Sequence, residues 1–233
     1  MQEVVKSKFE QTIMGNLTSN GELLDLEDKN IGPEELSLLC DAEDLSSVKQ
    51  LFLSQNQLCG ESIEILSRVK GLTGLVSLYL NNNIIGDEEA KVLANAEVFK
   101  NLKCLMLEAN NIGTQGAESL ASSPNLKNLE VLFLDSNTIG PKGARALACS
   151  KQLPSLQALH LDSTGIGDEG TQAIAESPRF ANLKKLYLCS NKMGDVGAIA
   201  LAKSESLKNL NVLSIWRNEI RDAGGQAIAD SQT

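Results

Sequence analysis

The sequence predicts an α/β solenoid: a curved, horseshoe-like stack of eight 27-residue repeats, with a parallel β-sheet on the concave face and α-helices on the convex face. Three observations predict it. Leu24, Leu51, Leu78, Leu105, Leu132, Leu159, Leu186 and Leu213 stand 27 residues apart. A second apolar column follows two residues later, from Leu26 to Ile215, and a third runs from Ile31 through Leu58 and Met193 to Ile220. Between them an Asn column holds Asn56, Asn83, Asn110, Asn137, Asn191 and Asn218, with Lys29 and Thr164 as its exceptions. No insertion breaks the register, and unbroken self-similarity at such a period marks a repeat architecture.

Each repeat divides into strand, loop and helix. The first half, such as Leu129–Leu134, alternates apolar and variable residues, which predicts a short strand. The Asn column falls where strand turns into loop. There a side-chain amide can pair with backbone groups that neither sheet nor helix satisfies, and stacked copies make a ladder. Thr164 is a weaker substitute, and Lys29 marks an atypical terminal repeat. Next comes a helix starter: Asp87, Thr114, Asp168, Asp195 or Asp222. Its side chain is expected to accept hydrogen bonds from free amides at the helix N-terminus. Pro33 and Pro141 occupy the same column, where a missing N–H costs nothing. In the second half, Ala144, Leu147 and Ala148 share one helical face.

No single repeat can bury its apolar face alone, so stacking must supply the core. Helices pack about 10 Å apart and strands about 4.8 Å apart, so the stack curves with the strands inside. Phe99 and Phe180 share an inward column with Leu72, Leu126 and Leu207 and are expected in the core.

Residues 1–20 lie outside the register. Val5, Phe9 and Ile13, with Leu17 extending the face, suit an amphipathic helix capping the first repeat, so the solenoid proper is residues 21–233. Repeat eight runs to Ala229, and no distinct polar cap follows. Either a longer array continues beyond it, or the edge strand around Val212–Trp216 is a docking or self-association surface.

Composition narrows the function. A net charge of −9 disfavours nucleic acid and anionic membrane surfaces, which require basic patches. Five cysteines, an odd number with no C-x-x-C pair, fit a reducing, cytoplasmic compartment. With a single histidine, a Cys/His metal site is not expected, and no motif calls for a cofactor.

Strand alternation sends one residue column outward between the leucines: Asp25, Phe52, Tyr79, Met106, Phe133, His160, Tyr187 and Ser214. The next outward column reads Glu27, Ser54, Asn81, Glu108, Asp135, Asp162, Cys189 and Trp216. Five of the eight aromatics (Phe52, Tyr79, Phe133, Tyr187 and Trp216) therefore fall on the concave face. Aromatics dominate binding hot spots, and a contiguous apolar ridge is a recognition surface. With the acidic row Glu108, Asp135 and Asp162 beside it, the ridge suits a protein partner with apolar side chains next to Lys or Arg. The candidate partner-binding residues are thus Phe52, Tyr79, Met106, Glu108, Phe133, Asp135, His160, Asp162, Tyr187 and Trp216. His160 and Cys189 on adjacent strands do not make an enzyme, because an open sheet excludes little water and no oxyanion donors converge there.

Residues 102–121 read Leu-Lys-Cys-Leu-Met-Leu-Glu-Ala-Asn-Asn-Ile-Gly-Thr-Gln-Gly-Ala-Glu-Ser-Leu-Ala. This pattern resembles the ribonuclease-inhibitor-like subfamily of leucine-rich repeats, and the resemblance extends over about residues 21–230. It implies a non-enzymatic scaffold that recognises protein on its concave face or rim. GTPase activation of the Ran-activator type is the alternative it raises. That activity calls for an arginine near the start of the array, whereas the first here is Arg68, expected in a helix. The uniform repeat length and few cysteines depart from the ribonuclease inhibitor, and no acidic tail of the Ran-activator kind is present.

Overall fold

The computed structural model describes residues 11–40 and 45–231. Eight three-residue strands form one sheet: β1 Leu23–Asp25, β2 Gln50–Phe52, β3 Ser77–Tyr79, β4 Cys104–Met106, β5 Val131–Phe133, β6 Ala158–His160, β7 Lys185–Tyr187 and β8 Val212–Ser214. Their spatial order is their chain order and every pair is parallel. After the helical residues 11–16 (α1), one helix follows each strand. These are α2 Pro33–Cys40, α3 Gly60–Leu66, α4 Asp87–Asn95, α5 Thr114–Ala121, α6 Gly140–Cys149, α7 Gly167–Ala175, α8 Asp195–Ala202 and α9 Asp222–Ala229. Successive helices pack on one another as successive strands pair, giving a solenoid with a sheet face and a helix face.

The strands are shorter than the alternation over Leu129–Leu134 predicts. The chain leaves the extended region at a residue of positive φ just beyond each strand, such as Ala109 (+52°), Ser136 (+57°) and Ser163 (+57°). The inter-repeat bonding nevertheless continues through the bend: Leu134 N donates to His160 O at 2.9 Å and Ser136 N to Asp162 O at 2.8 Å.

The strand register is the sequence period itself: Leu24 stands beside Leu51, Leu51 beside Leu78, and so on to Leu213. The first seven of these leucines are buried, as are Phe99, Phe180, Leu72, Leu126 and Leu207, so the core is one continuous, mainly aliphatic layer. At β8, Leu213 is 38% exposed. At the other end Ile13 is buried against the core and Leu17 makes an antiparallel bridge to Leu24. Val5 and Phe9, expected on the same face, lie outside the described residues.

The Asn column forms the ladder its spacing predicts. Asn137 Oδ1 accepts from Ile112 N of the preceding repeat at 2.9 Å, and its Nδ2 donates to Leu107 O and Leu134 O. Thr164, too short to repeat this, bonds Leu161 O at 2.6 Å in its own repeat and Asn191 Oδ1 ahead of it.

The aspartate helix starters act differently from expectation. Asp87 Oδ1 accepts from Gly113 N and Gly116 N, which begin the next helix, α5, and not its own. Asp168 does the same for Gly194 and Gly197, and Asp195 for Arg221 and Gly224. The N-termini of α5, α8 and α9 are therefore capped by the repeat before them. A further ladder is built from Ser123, Ser150, Ser177 and Ser204. Each hydroxyl donates back to a helix-end carbonyl of the preceding repeat: Ala94, Ala121, Ala148 and Ala175.

Candidate functional site on the sheet face

The in-register sheet places the first outward column in a single line. Phe52 pairs with Tyr79, then Met106, Phe133, His160, Tyr187 and Ser214. Parallel strands about 4.8 Å apart bring planar side chains close to stacking distance. Phe52 and Tyr79 stack with ring centroids 4.0 Å apart and planes 6° from parallel. His160 is sandwiched, 3.6 Å from the Phe133 centroid and 4.0 Å from that of Tyr187. Met106 stands in register between the two stacks. The column is thus a rail of ring edges, half-buried by its own stacking, running across strands β2 to β7. Burial pushes the Tyr79 phenol and the neighbouring Cys104 thiol upward, so both keep their protons and the rail stays neutral.

The second outward column proves partly structural. Asn81 Oδ1 accepts from Glu108 N at 3.0 Å, Asp135 Oδ1 from Asp162 N at 2.6 Å, and Asp162 Oδ1 from Cys189 N at 2.6 Å. Each side chain ties down the backbone of the following repeat with one oxygen. Asp135 and Asp162 keep their other oxygen for the face, while Glu108 is half-buried beside them. Sequence reading missed Asn81, whose part in this ladder equals that of Asp135. Two residues of this column are not exposed as expected: Ser54 and Cys189 are buried, and Cys189 Sγ lies 3.0 Å from Ser214 Oγ. Ala158, the first residue of β6, is buried as well. Burial raises the Cys189 thiol, which opposes thiolate formation.

Asp135 and His160 meet across two repeats, with Oδ2 and Nδ1 3.7 Å apart and both side chains 14% exposed. Burial pushes the Asp135 carboxyl up to about 7. Asp162 and Glu108 add repulsion, and the bond from Asp162 N opposes the rise. Burial likewise holds the His160 imidazole down to about 4, helped by Lys185.

Trp216 is brought to the same face but apart from the rail. It is 57% exposed and carries the Arg217 guanidinium 4.5 Å above its ring. The rail and the row Glu108, Asp135 and Asp162 therefore lie side by side, and Trp216 stands apart from them, exposed, two residues beyond β8. Arg68 falls just past the end of α3, not within a helix, and pairs with Glu64. Among the described residues no three His, Cys, Asp or Glu side chains come together to hold a metal ion. Among the described residues, no helix is long and apolar enough to cross a membrane.

A repeating strand–helix unit with a leucine and asparagine framework defines a class of proteins, and comparison identifies it. Residues 100–121, 125–148, 152–175, 181–202 and 206–229 match the leucine-rich repeat family, and over these five repeats the chain belongs to it. No curated protein matches the chain in sequence. Among solved structures it is similar to an internalin of Listeria monocytogenes, with 20% identity, a TM-score of 0.51 and 90% of this chain covered. It is also similar to the Arabidopsis receptor kinase HAESA, solved with the peptide hormone IDA and the co-receptor SERK1, with 22% identity, a TM-score of 0.54 and 87% of this chain covered. The chain spans 65% of the internalin and 35% of the receptor structure. At these identities the likeness concerns the fold.

Proposed function

We propose that the chain is a non-enzymatic protein-binding scaffold that holds its partner on the concave sheet face. One observation carries this reading: a neutral rail of rings and thioether, Phe52 to Tyr187, lies beside the carboxylates Glu108, Asp135 and Asp162. Leucine-rich repeats generally mediate protein–protein interaction, which supports it, and the HAESA structure is of a receptor with a bound peptide and a co-receptor. Stacking consumes the ring faces, so the edges, with the rims of Met106 and Tyr187, are offered outward. Such a surface fits apolar side chains of a partner, with Lys or Arg reaching the acidic row. The 27-residue strand–helix unit supports a place in the ribonuclease-inhibitor-like subfamily. An odd number of cysteines supports a reducing compartment.

Substitution tests the face. Phe133→Ala with Tyr187→Ala removes the anchors of the second stack. Glu108→Lys is the suitable charge reversal, because Asp162→Lys would also break the bond to Cys189 N. A partner held by the wild type is lost by the triple variant while the circular dichroism of the repeats is retained. Retention of the partner would remove the concave face from consideration.

A further inference from the structure

The contact between Asp135 and His160 has a property that neither residue has alone. His160 is wedged between the Phe133 and Tyr187 rings, and Asp135 Oδ1 is fixed on Asp162 N. These contacts hold the two side chains 3.7 Å apart. Among the described residues, the charged or titratable groups around the pair can be named. From the β4 side comes Glu108; from the β6 side, Asp162; from the β7 side, Lys185, Tyr187 and Cys189. The carboxylates repel charge on Asp135, and Lys185 repels charge on His160, so neither partner is helped to ionise by its outer neighbours.

We propose that the pair is a protonation switch on the sheet face: it takes up one proton, holds it on the Asp135 carboxyl, and so adds or removes one negative charge in the acidic row. Attraction between the charged forms at 3.7 Å would favour carboxylate with imidazolium. Burial opposes both charges at once, and a pair this far withdrawn from water, its imidazole between two rings, favours acid with neutral imidazole. The directions already described, Asp135 up to about 7 and His160 down to about 4, fall on the side of burial. The pair has the same net charge in either form, so the two differ only in where the proton sits, and the titration belongs to the pair.

The consequence for recognition rests on the concave-face reading. A basic partner gains an electrostatic contact when the proton leaves. With a midpoint of about 7, the ionised fraction of Asp135 rises from about a tenth at pH 6 to about nine tenths at pH 8. A basic partner is therefore held more weakly on the acid side of neutrality, and the dependence disappears in Asp135→Asn. That variant keeps the backbone bond, because Asn81 performs the same task for Glu108 N.

Nuclear magnetic resonance titration of the intact chain decides the matter without any partner. The side-chain carboxyl carbon of Asp135 and the ring carbons of His160 are followed from pH 4 to 9. The expected result is a carboxyl midpoint near 7 with a ring that stays neutral until about pH 4. A carboxyl that titrates below 5, or a ring that takes the proton near 6.5, overturns the proposal. This outcome is independent of the capture experiment. A working switch with no partner on the face would count against the binding reading alone, and the reverse against the switch alone.

Discussion

At the scale of single residues, the molecule depends on side chains that serve the neighbouring repeat. Asn137 is the clearest. Its amide holds Ile112 N and Leu134 O, and shares Leu107 O with Asn110. Each buried group left without a partner costs about 1–3 kcal/mol, so Asn137→Ala should destabilise the chain by about 3 kcal/mol or more, read as a shift of the urea midpoint. The same scale carries the pH dependence. Asp135 rises from an ordinary 3.8 to about 7, so the folded chain keeps a proton that the unfolded chain has released. That contribution is lost as pH climbs through this window. His160 falls from 6.5 to about 4, so the unfolded chain holds the extra proton, and this contribution grows as pH climbs from about 4 to 6.5. The two slopes oppose each other in the wild type. Asp135→Asn should leave stability rising with pH over the histidine window, and His160→Phe should leave it falling over the aspartate window. Unfolding midpoints measured across pH 4 to 8 check both; matching slopes in the two variants would contradict the assignment. The Asn ladder was legible in the sequence because six of eight positions repeat it. The double duty of Asp135 and Asp162 was not, because an outward carboxylate on a strand reads the same whether or not one oxygen is tied to backbone.

Elements show the same dependence. Asp87, Asp168 and Asp195 each cap the following helix, and spacing alone cannot distinguish that from capping their own, because both N-termini lie one repeat apart in an unbroken period. The glycine at the start of α5 makes the difference visible. A Cβ on Gly116 would stand 2.7 Å from Asp87 Oδ1 and 2.7 Å from Ile112 Cγ2. Replacing a helical glycine by alanine ordinarily gains up to about 1 kcal/mol. Here Gly116→Ala should instead cost about 1–2 kcal/mol, because the cap must give way. Gly225 in α9 has nothing within 4 Å of its position, so Gly225→Ala should raise the melting temperature. A gain at both sites would contradict inter-repeat capping. The serine ladder also stood in the sequence as a 27-residue column, but a serine ahead of a strand reads as linker until its hydroxyl is seen on the helix end of the previous repeat.

For the whole molecule, the period determines nearly everything about the framework. Strand register, helix order and the burial of Phe99 and Phe180 all follow from the columns. The sheet face was legible as a set of outward positions. Its detailed form depends on packing that spacing does not report: two stacks separated by Met106, a histidine serving as a rail member, and Cys189 buried against Ser214. Trp216, which composition alone groups with the other aromatics, stands off the rail with Arg217 over its ring. The proposed scaffold is therefore narrower than its list of aromatics: a rail from Phe52 to Tyr187 with a charge row whose middle member can gain or lose a proton.

The most direct measurement compares what three forms of the chain retain from the native cell extract. These are the wild type, the concave variant Phe133→Ala, Tyr187→Ala and Glu108→Lys, and a convex control with Lys142→Glu and Arg145→Glu on the exposed side of α6. Recognition on the concave face predicts a protein held by the wild type and the convex control and lost by the concave variant, with all three equally folded. A protein held by the concave variant and lost by the convex control would contradict it.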